Sequence, residues 1–368
     1  MQSRPSAEPP GQPTAGPLAG SASHDDGNDA QAARPSVKDV ARLAGVSVGT
    51  VSNVLNRPER VSSEVRLRVE GAIEQLDYVR NGAAQALRSG LAPFVGVAVL
   101  DIGNPFFTEA AVGMERRLRE DGMVMILSST HADVREENAI LRLFEAQGVR
   151  GVLLTPAGSD VAAARELAAR GMPVVLFDSA ARPQGISSIS VDDRLGARLA
   201  VEHLLDLGHR RIAFLNGPSA MRQSRDRLAG VQEAVSDLSR GRVTLMLVSL
   251  PAYTAPAGHD GLRRLLAREE ERPTGIFCAN DLIAFGAISA LNEVGLSVPG
   301  DVSVIGFDDV ALAGQLSVPL TTIRQPMDEL GWHAVELLFD RSGGHRHERF
   351  PPELVVRAST GPVPAPAE

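Results

Sequence analysis

From Phe94 onward the chain alternates short apolar runs of β type with amphipathic segments of helical length. The runs are Val95 to Leu100, Met123 to Leu127, Val152 to Leu154, Val174 to Phe177, Ile212 to Leu215, Ile276 to Ala279 and Val302 to Ile305. Runs this apolar have no face to turn to water, and a helix between successive runs supplies the crossover that parallel pairing requires. The rhythm predicts parallel sheets covered by helices on both faces. The stretch from residue 93 to 368 is long for one such sheet, which points to two similar lobes with a cleft at the strand C-termini.

The first 92 residues do not share this rhythm. Residues 1–34 hold five prolines and four glycines and almost no large apolar side chains, so burial cannot offset their ordering entropy and disorder is predicted. At Ser36 the pattern changes. Ser36 can cap a helix whose third residue is Asp39 and whose Val40, Leu43 and Ala44 fall at helical spacing. A turn is expected at Gly45. Ser47 caps a second short helix carrying Val51, Val54 and Leu55, and a third helix after Ser62 lines up Val65, Val69, Ala72, Ile73 and Leu76.

Counting Val37 as position one, Ala41 falls at position five, Gly45 at nine and Val51 at fifteen. The first must be small where helices cross, the second must permit a tight turn, and the third must plug a shared core. Together they describe a helix-turn-helix. Its second helix would present Val48, Gly49, Thr50, Ser52 and Asn53 to the major groove, between Ser47 and Asn56. Asn53 suits a bidentate contact to adenine and Val48 a thymine methyl, while Thr50 and Ser52 suit phosphate contacts or capping. Gly49 costs about 1 kcal/mol in a helix relative to alanine, and either admits DNA closely or is simply tolerated.

Charge locates the same unit. The chain carries 37 Lys+Arg against 45 Asp+Glu, a formal charge of -8 that by itself argues against nucleic acid. Residues 1–33, however, hold one arginine and four acids, residues 34–92 nine Lys/Arg and six acids, and residues 93–368 the remaining 27 and 35. The only basic block is the helix-turn-helix together with the short segment that links it to the body. Asn81 to Ser89 has helical composition but is too short to be stable alone, and is expected to order only in a complex. The expected domains are a tail (1–34), a DNA-binding unit (35–80), a hinge helix or linker (81–92), a two-lobed body (93–360) and a C-terminal tail (361–368).

The run Val37-Lys38-Asp39-Val40-Ala41-Arg42-Leu43-Ala44-Gly45-Val46-Ser47-Val48-Gly49-Thr50-Val51-Ser52-Asn53-Val54-Leu55-Asn56 closely resembles the headpiece of the lactose-repressor/galactose-repressor (LacI/GalR) family of bacterial regulators. The likeness continues through Val61-Ser62, Ile73, Leu76, Tyr78 and Ala84 to Ser89, and covers about residues 36 to 360. It implies an all-α headpiece with a hinge helix, followed by a two-lobed α/β effector domain of the type I periplasmic-binding-protein kind. It also implies that Leu87 is an apolar wedge that enters the minor groove, one from each subunit of a dimer, with Arg88 beside it on phosphate or groove. Two departures stand out. The usual Tyr-x-Pro-Asn reads Tyr78-Val79-Arg80-Asn81, which loosens the hinge start, and Val48-Gly49 is less polar than many reading heads.

In the body, Asn104 and Pro105 suit a helix start after the first strand, and Phe106 and Phe107 are either core or cleft wall. Asp178, Asn280, Asp281, Asp308 and Asp309 follow apolar runs, where a two-lobed protein binds its ligand. By position Asp281 and Asp309 are expected as helix caps, and Asp178 and Asp308 as either caps or ligand contacts. The resemblance places Asp178, Asp308 and Phe107 toward the ligand, and adds Arg227, Tyr253 and Gln325. Carboxylates, an amide and a guanidinium in one cleft suit a polyhydroxylated molecule, because carboxylates accept from paired hydroxyls and arginine donates in a fork. A sugar or sugar derivative is the expected effector, although purines and phosphoprotein corepressors also occur in the family.

Other signals are set aside. Cys278 sits in an apolar run and reads as core; His345 and His347 read as solvated residues of a polar loop; Trp332 reads as packing with Leu330, Val335, Leu337 and Leu338. No nucleophile with its base, phosphate loop or zinc-ligand spacing can be assembled, so an enzyme is not expected, nor is any cofactor. Neither a membrane span nor a signal-peptide pattern is found, and a cytoplasmic, nucleoid-associated bacterial protein is expected. The functional expectation is a homodimeric or higher-order repressor that binds a pseudo-palindromic duplex operator under control of a small molecule. The alternatives are an exported-type solute-binding protein, or a corepressor-dependent global regulator answering to a phosphoprotein or purine.

Overall fold

The computed structural model describes residues 35–78, 93–238, 243–268 and 272–363. The chain divides into two compact units, Met1–Asn81 and Gly82–Glu368. The expected tail (1–34) and the hinge, with Leu87 and Arg88, lie outside the described residues.

Among the described residues the small unit has three helices, α1 (Val37–Ala44), α2 (Val48–Asn56) and α3 (Ser63–Gln75), with a 3₁₀ turn at Pro58–Arg60. The Asp39 carboxylate accepts from the Ser36 N–H at 2.9 Å and the Ser36 hydroxyl at 2.6 Å, which fixes the start of α1. Gly45 ends that helix at φ 63°, the left-handed conformation that a side chain disfavours, and so allows the tight turn into α2. Val40, Ala41, Ala44, Val51, Val54, Val69 and Ala72 form the shared core. Leu43, expected on the inner face, is 46% exposed. The inward stripe of α1 is rotated by one position, with Ala41 packed where the helices cross.

The large unit contains two six-stranded sheets. The first is built from β1 (Phe94–Val99), β2 (Val124–Ser129), β3 (Val152–Leu154), β4 (Val174–Phe177), β5 (Ser187–Val191) and β11 (His347–Phe350), in the order β11-β5-β4-β3-β1-β2. The second uses β6 (Arg211–Asn216), β7 (Thr244–Ser249), β8 (Gly275–Cys278), β9 (Ser303–Asp308), β10 (Thr321–Arg324) and β12 (Glu353–Val355), in the order β12-β10-β9-β8-β6-β7. All pairs are parallel except β10 with β12, which is antiparallel. Registers such as Gly96 opposite Val152 and Phe277 opposite Ile305 align the C-terminal ends of neighbouring strands along one rim of each sheet.

The helices α4 (Pro105–Glu120), α5 (Val134–Ala146) and α6 (Ala162–Ala169) belong to the first lobe, together with α11 (Met327–Leu338). The second lobe has α7 (Asp193–Asp206), α8 (Arg222–Leu238), α9 (Ala255–Leu266) and α10 (Asp281–Glu293). The chain therefore passes between lobes three times, after β5, after β10 and after β11. Helix α11 lies against α4 so closely that a Cβ at Gly113 would sit 1.9 Å from the Asp328 carbonyl oxygen, and one at Gly331 2.0 Å from that of Ala110. Only glycine fits at that crossing.

Stacked Phe214 and Phe277, 4.9 Å between ring centres, anchor the second core, in which Cys278 is fully buried. Trp332 packs under Arg116, whose guanidinium lies 4.9 Å from the ring centre. His347 corrects its expectation: it is not a solvated loop residue but part of β11, with Nδ1 2.9 Å from the Ser188 hydroxyl. The packed chain also runs past residue 360, where a tail was expected, since the Val363 N–H donates to the Leu207 carbonyl at 3.0 Å.

Candidate functional site

In the small unit, the Ser47 side chain accepts the Thr50 N–H at 3.0 Å and caps α2, and its hydroxyl lies 2.9 Å from that of Thr50. These two residues thus start the helix. Val48, Gly49 and Asn53 are exposed, with Val48 at 42%, while Ser52 and Thr50 are half-buried. The Asn56 amide donates to the Ser52 carbonyl at 2.7 Å, so it is engaged within the helix. A Cβ at Gly49 would meet nothing nearer than the Ser47 Oγ at 3.6 Å. No contact inside the unit requires glycine there, and a bulkier residue would project from the exposed face.

In the large unit, a cavity of about 410 Å³ lies between the lobes at the strand C-termini. Phe107, Asp178, Arg227, Tyr253, Asn280, Asp308 and Gln325 all line it, so the seven residues singled out from the sequence are brought together. The local chain explains the placement. Asp178 follows β4 at φ 51°, Asp308 ends β9 at φ 116°, and Asp309 follows at φ 61°. Positive φ at non-glycine residues is held only where surrounding contacts over-determine it, and it is common at ligand sites.

Arg227 is 4% exposed and is the electrostatic centre of the cleft. Its Nε donates to the Asp193 carboxylate at 2.8 Å, one terminal nitrogen donates to the Ala279 carbonyl, and its guanidinium lies 3.7 Å from the centre of the Phe307 ring. Burial alone would depress this guanidinium, but the charge of Asp193, with Tyr253 and Asp308 adding, holds it above its ordinary value. Gln325 donates to the Asp308 carboxylate at 2.7 Å, and its own carbonyl oxygen is buried with no hydrogen-bond partner among the described residues. The Tyr253 hydroxyl lies 2.6 Å from that of Ser224, and burial pushes its pKa up to about 12.

The carboxyls carry the opposite shift. Burial raises half-buried Asp178 to about 8, with the charge of Asp193 adding and that of Arg227 opposing. Burial likewise raises Asp308 well above the carboxylate range, although Arg227 pulls it down. A carboxyl held neutral can donate as well as accept. The wall therefore offers both halves of the hydrogen bonds that a vicinal diol makes.

Two expected helix caps are corrected. Asn280, not Asp281, caps α10, accepting from the Ile283 N–H at 2.9 Å. Asp281 is instead buried, accepting from the Thr322 hydroxyl at 2.6 Å and the Val310 N–H at 2.9 Å, and so ties α10 to the crossover strand. Asp309 caps nothing; it is clamped between Arg324 and Arg357, each at 2.7 Å. Gln223, on the first turn of α8, donates to Asp178 and lines the cavity without having been foreseen; Met221 and His131 are further lining residues that were not foreseen. Among the described residues no cluster of three or more His, Cys, Asp or Glu side chains is placed to hold a metal ion, and no helix is long and apolar enough to cross a membrane.

Comparison with known proteins follows the same division. Residues 36–81 match the bacterial regulatory proteins of the lacI family, and residues 201–360 match the periplasmic binding protein-like domain. Over 328 residues the chain is 33% identical to the HTH-type transcriptional repressor PurR of Photobacterium profundum, covering 88% of this chain and 98% of that one. It is 36% identical over 311 residues to the ribose operon repressor of Escherichia coli (strain K12), covering 83% and 92%. The crystal structure of the lac repressor dimer bound to operator and an anti-inducer superposes with a TM-score of 0.78 at 30% identity, covering 89% of this chain and 99% of that one.

Proposed function

Because the chain belongs to the lacI family of bacterial regulatory proteins, and so is a DNA-binding transcriptional regulator, we propose that it is a repressor whose interlobe cleft takes a sugar or sugar derivative. In this reading two chains pair, each placing α2 in the major groove of one half of a pseudo-palindromic operator, with Val48, Gly49 and Asn53 at base edges. Ser47, Thr50, Ser52 and Asn56 set the helix and meet the backbone. Leu87 and Arg88 act at the centre of the site. Effector binding changes the relation of the lobes, and through it the grip of the paired hinges, by a coupling typically of about 1–3 kcal/mol.

The observation that carries the sugar assignment is the ring of Asp178, Arg227, Asn280, Asp308 and Gln325 around one cavity whose apolar wall is Phe107 and Tyr253. Acceptors and donors surround the space on several sides, which suits hydroxyls projecting all round a small ring. The ribose operon repressor's name indicates a pentose as the first candidate. A purine is the second reading, favoured by the similarity to PurR. The aromatic geometry favours it less: Phe106 and Phe107 meet edge to face at 77°, and Phe106 stacks on Phe177 rather than forming a flat slot.

Titration calorimetry of the full chain with D-ribose, a set of other sugars, and hypoxanthine and guanine decides between them. Saturable sugar binding that Asp308→Ala removes is expected. Binding of a purine and of no sugar would reassign the effector.

A further inference from the structure

Beyond the three chain crossings, side chains also join the lobes. The Gln223 amide, from α8 of the second lobe, donates to the Asp178 carboxylate at 2.7 Å and to the Asp178 carbonyl at 3.0 Å, at the end of β4 in the first. On the outer side the Glu109 carboxylate of α4 accepts the Ala311 N–H at 3.0 Å. Inside the cavity the Gln223 hydrogen bond is accompanied by Met221, just before α8, which packs against the core of the first lobe.

We propose that Gln223 is a positioning residue for the effector, a latch that holds the cleft closed before any ligand arrives and thereby sets how tightly the effector binds. Three observations support it. One amide nitrogen serves both the carboxylate and the carbonyl of the same aspartate, so the contact fixes direction as well as distance. Asp178 adopts φ 51°, which turns both oxygens toward α8 and persists only where neighbours impose it. Gln223 is half-buried within a helix start, Arg222-Gln223-Ser224-Arg225-Asp226, whose arginines are paired elsewhere: Arg222 with Asp226, and Arg225 with the Ser219 and Ala220 carbonyls. Its own hydrogen-bond partner among the described residues is Asp178.

The consequence is a population effect. A ligand that needs both lobes binds with an affinity reduced by the fraction of molecules that are closed. The latch raises that fraction and leaves the second carboxylate oxygen of Asp178 for the ligand. The proposal rests on the cleft being an effector site only for this consequence for affinity; closure itself is measurable without ligand.

The test uses the full chain with spin labels at Glu136→Cys on α5 and Arg263→Cys on α9, both exposed, diluted with unlabelled protein so that distances report within one subunit. Cys278 is fully buried and does not compete for label. Gln223→Met keeps the length and packing of the side chain but cannot donate. We expect the ligand-free distance distribution of Gln223→Met and Gln223→Ala to gain a longer component while the melting temperature stays the same. D-ribose binding should weaken about two- to tenfold, the range for loss of one hydrogen bond. An unchanged ligand-free distribution in Gln223→Met would overturn the latch. Failure of ribose to bind any chain, with the distance shift present, would count against the sugar assignment and leave the latch standing.

Discussion

Arg227→Met is the perturbation with the largest consequence that the structure allows one to work out. The wild-type guanidinium is 4% exposed and satisfies buried Asp193 at 2.8 Å, so solvent screens the pair little. Methionine has similar length and can cover Phe307, which leaves the orphaned carboxylate as the main loss. Removing one partner of a buried ion pair costs about 3–5 kcal/mol, because the other charge stays desolvated and unpaired. For a large domain that corresponds to a fall in melting temperature on the order of 5–15 °C. Trp332, the single tryptophan, lies on α11 of the first lobe and reports unfolding by fluorescence. The double variant Arg227→Met with Asp193→Asn should recover part of the loss, since no orphaned charge remains. A single variant melting within about 2 °C of wild type, or a double variant no better than the single, would refute the view that this pair organises the cleft.

Three further outcomes are expected. Asn53→Ala should relax base preference at one position in each half-site while leaving the others, read from enriched sites in a random duplex library; an unchanged preference removes Asn53 from the reading set. Leu87→Ala should weaken operator binding far more than binding to unrelated duplex, and an equal loss in both would remove the wedge. In the third, the raised carboxyls mean that the folded chain binds protons more tightly than the unfolded one, so stability should fall as pH rises from about 6.5 toward the Asp178 value of about 8. His259, raised by Asp260 and Glu293, acts in the same direction, whereas His203 and His209, lowered by burial, cost stability only as pH falls below the ordinary histidine range. Asp178→Asn should therefore flatten the slope between pH 6.5 and 8 in denaturant titrations, and an unaltered slope would show that Asp178 is not its source.

The helix-turn-helix was legible because its constraints are local. Ala41, Gly45 and Val51 lie within one short run, and each answers to a separate steric demand. Most of the apolar strands were legible for a related reason, being buried on both faces, although the edge strand β2 leaves Val124 and Ile126 exposed. Of the strands that escaped notice, Ser187–Val191 alternates serine with apolar residues, Thr321–Arg324 is half polar, and Glu353–Val355 is only three residues long. His347–Phe350 joins its sheet only after two passages between lobes, and Thr244–Ser249 is a partly exposed edge strand. Cap assignment failed at Asp281 because Asn280, one residue earlier, took the capping geometry and released the aspartate to tie α10 to β10. Gln223 could not have been found in sequence. A glutamine in a polar helix start carries no pattern, and its partner Asp178 comes from the other lobe.

If occupancy of the cleft controls the grip on DNA, the most direct measurement is the affinity of the full chain for a duplex recovered from a random library, titrated at fixed salt with and without saturating ligand from the calorimetric panel. We expect an enriched site of two inverted half-sites whose dissociation constant changes by about tenfold or more with ligand, a change that Asp308→Ala abolishes. An enriched site bound equally well with and without a ligand that demonstrably fills the cleft would contradict that control.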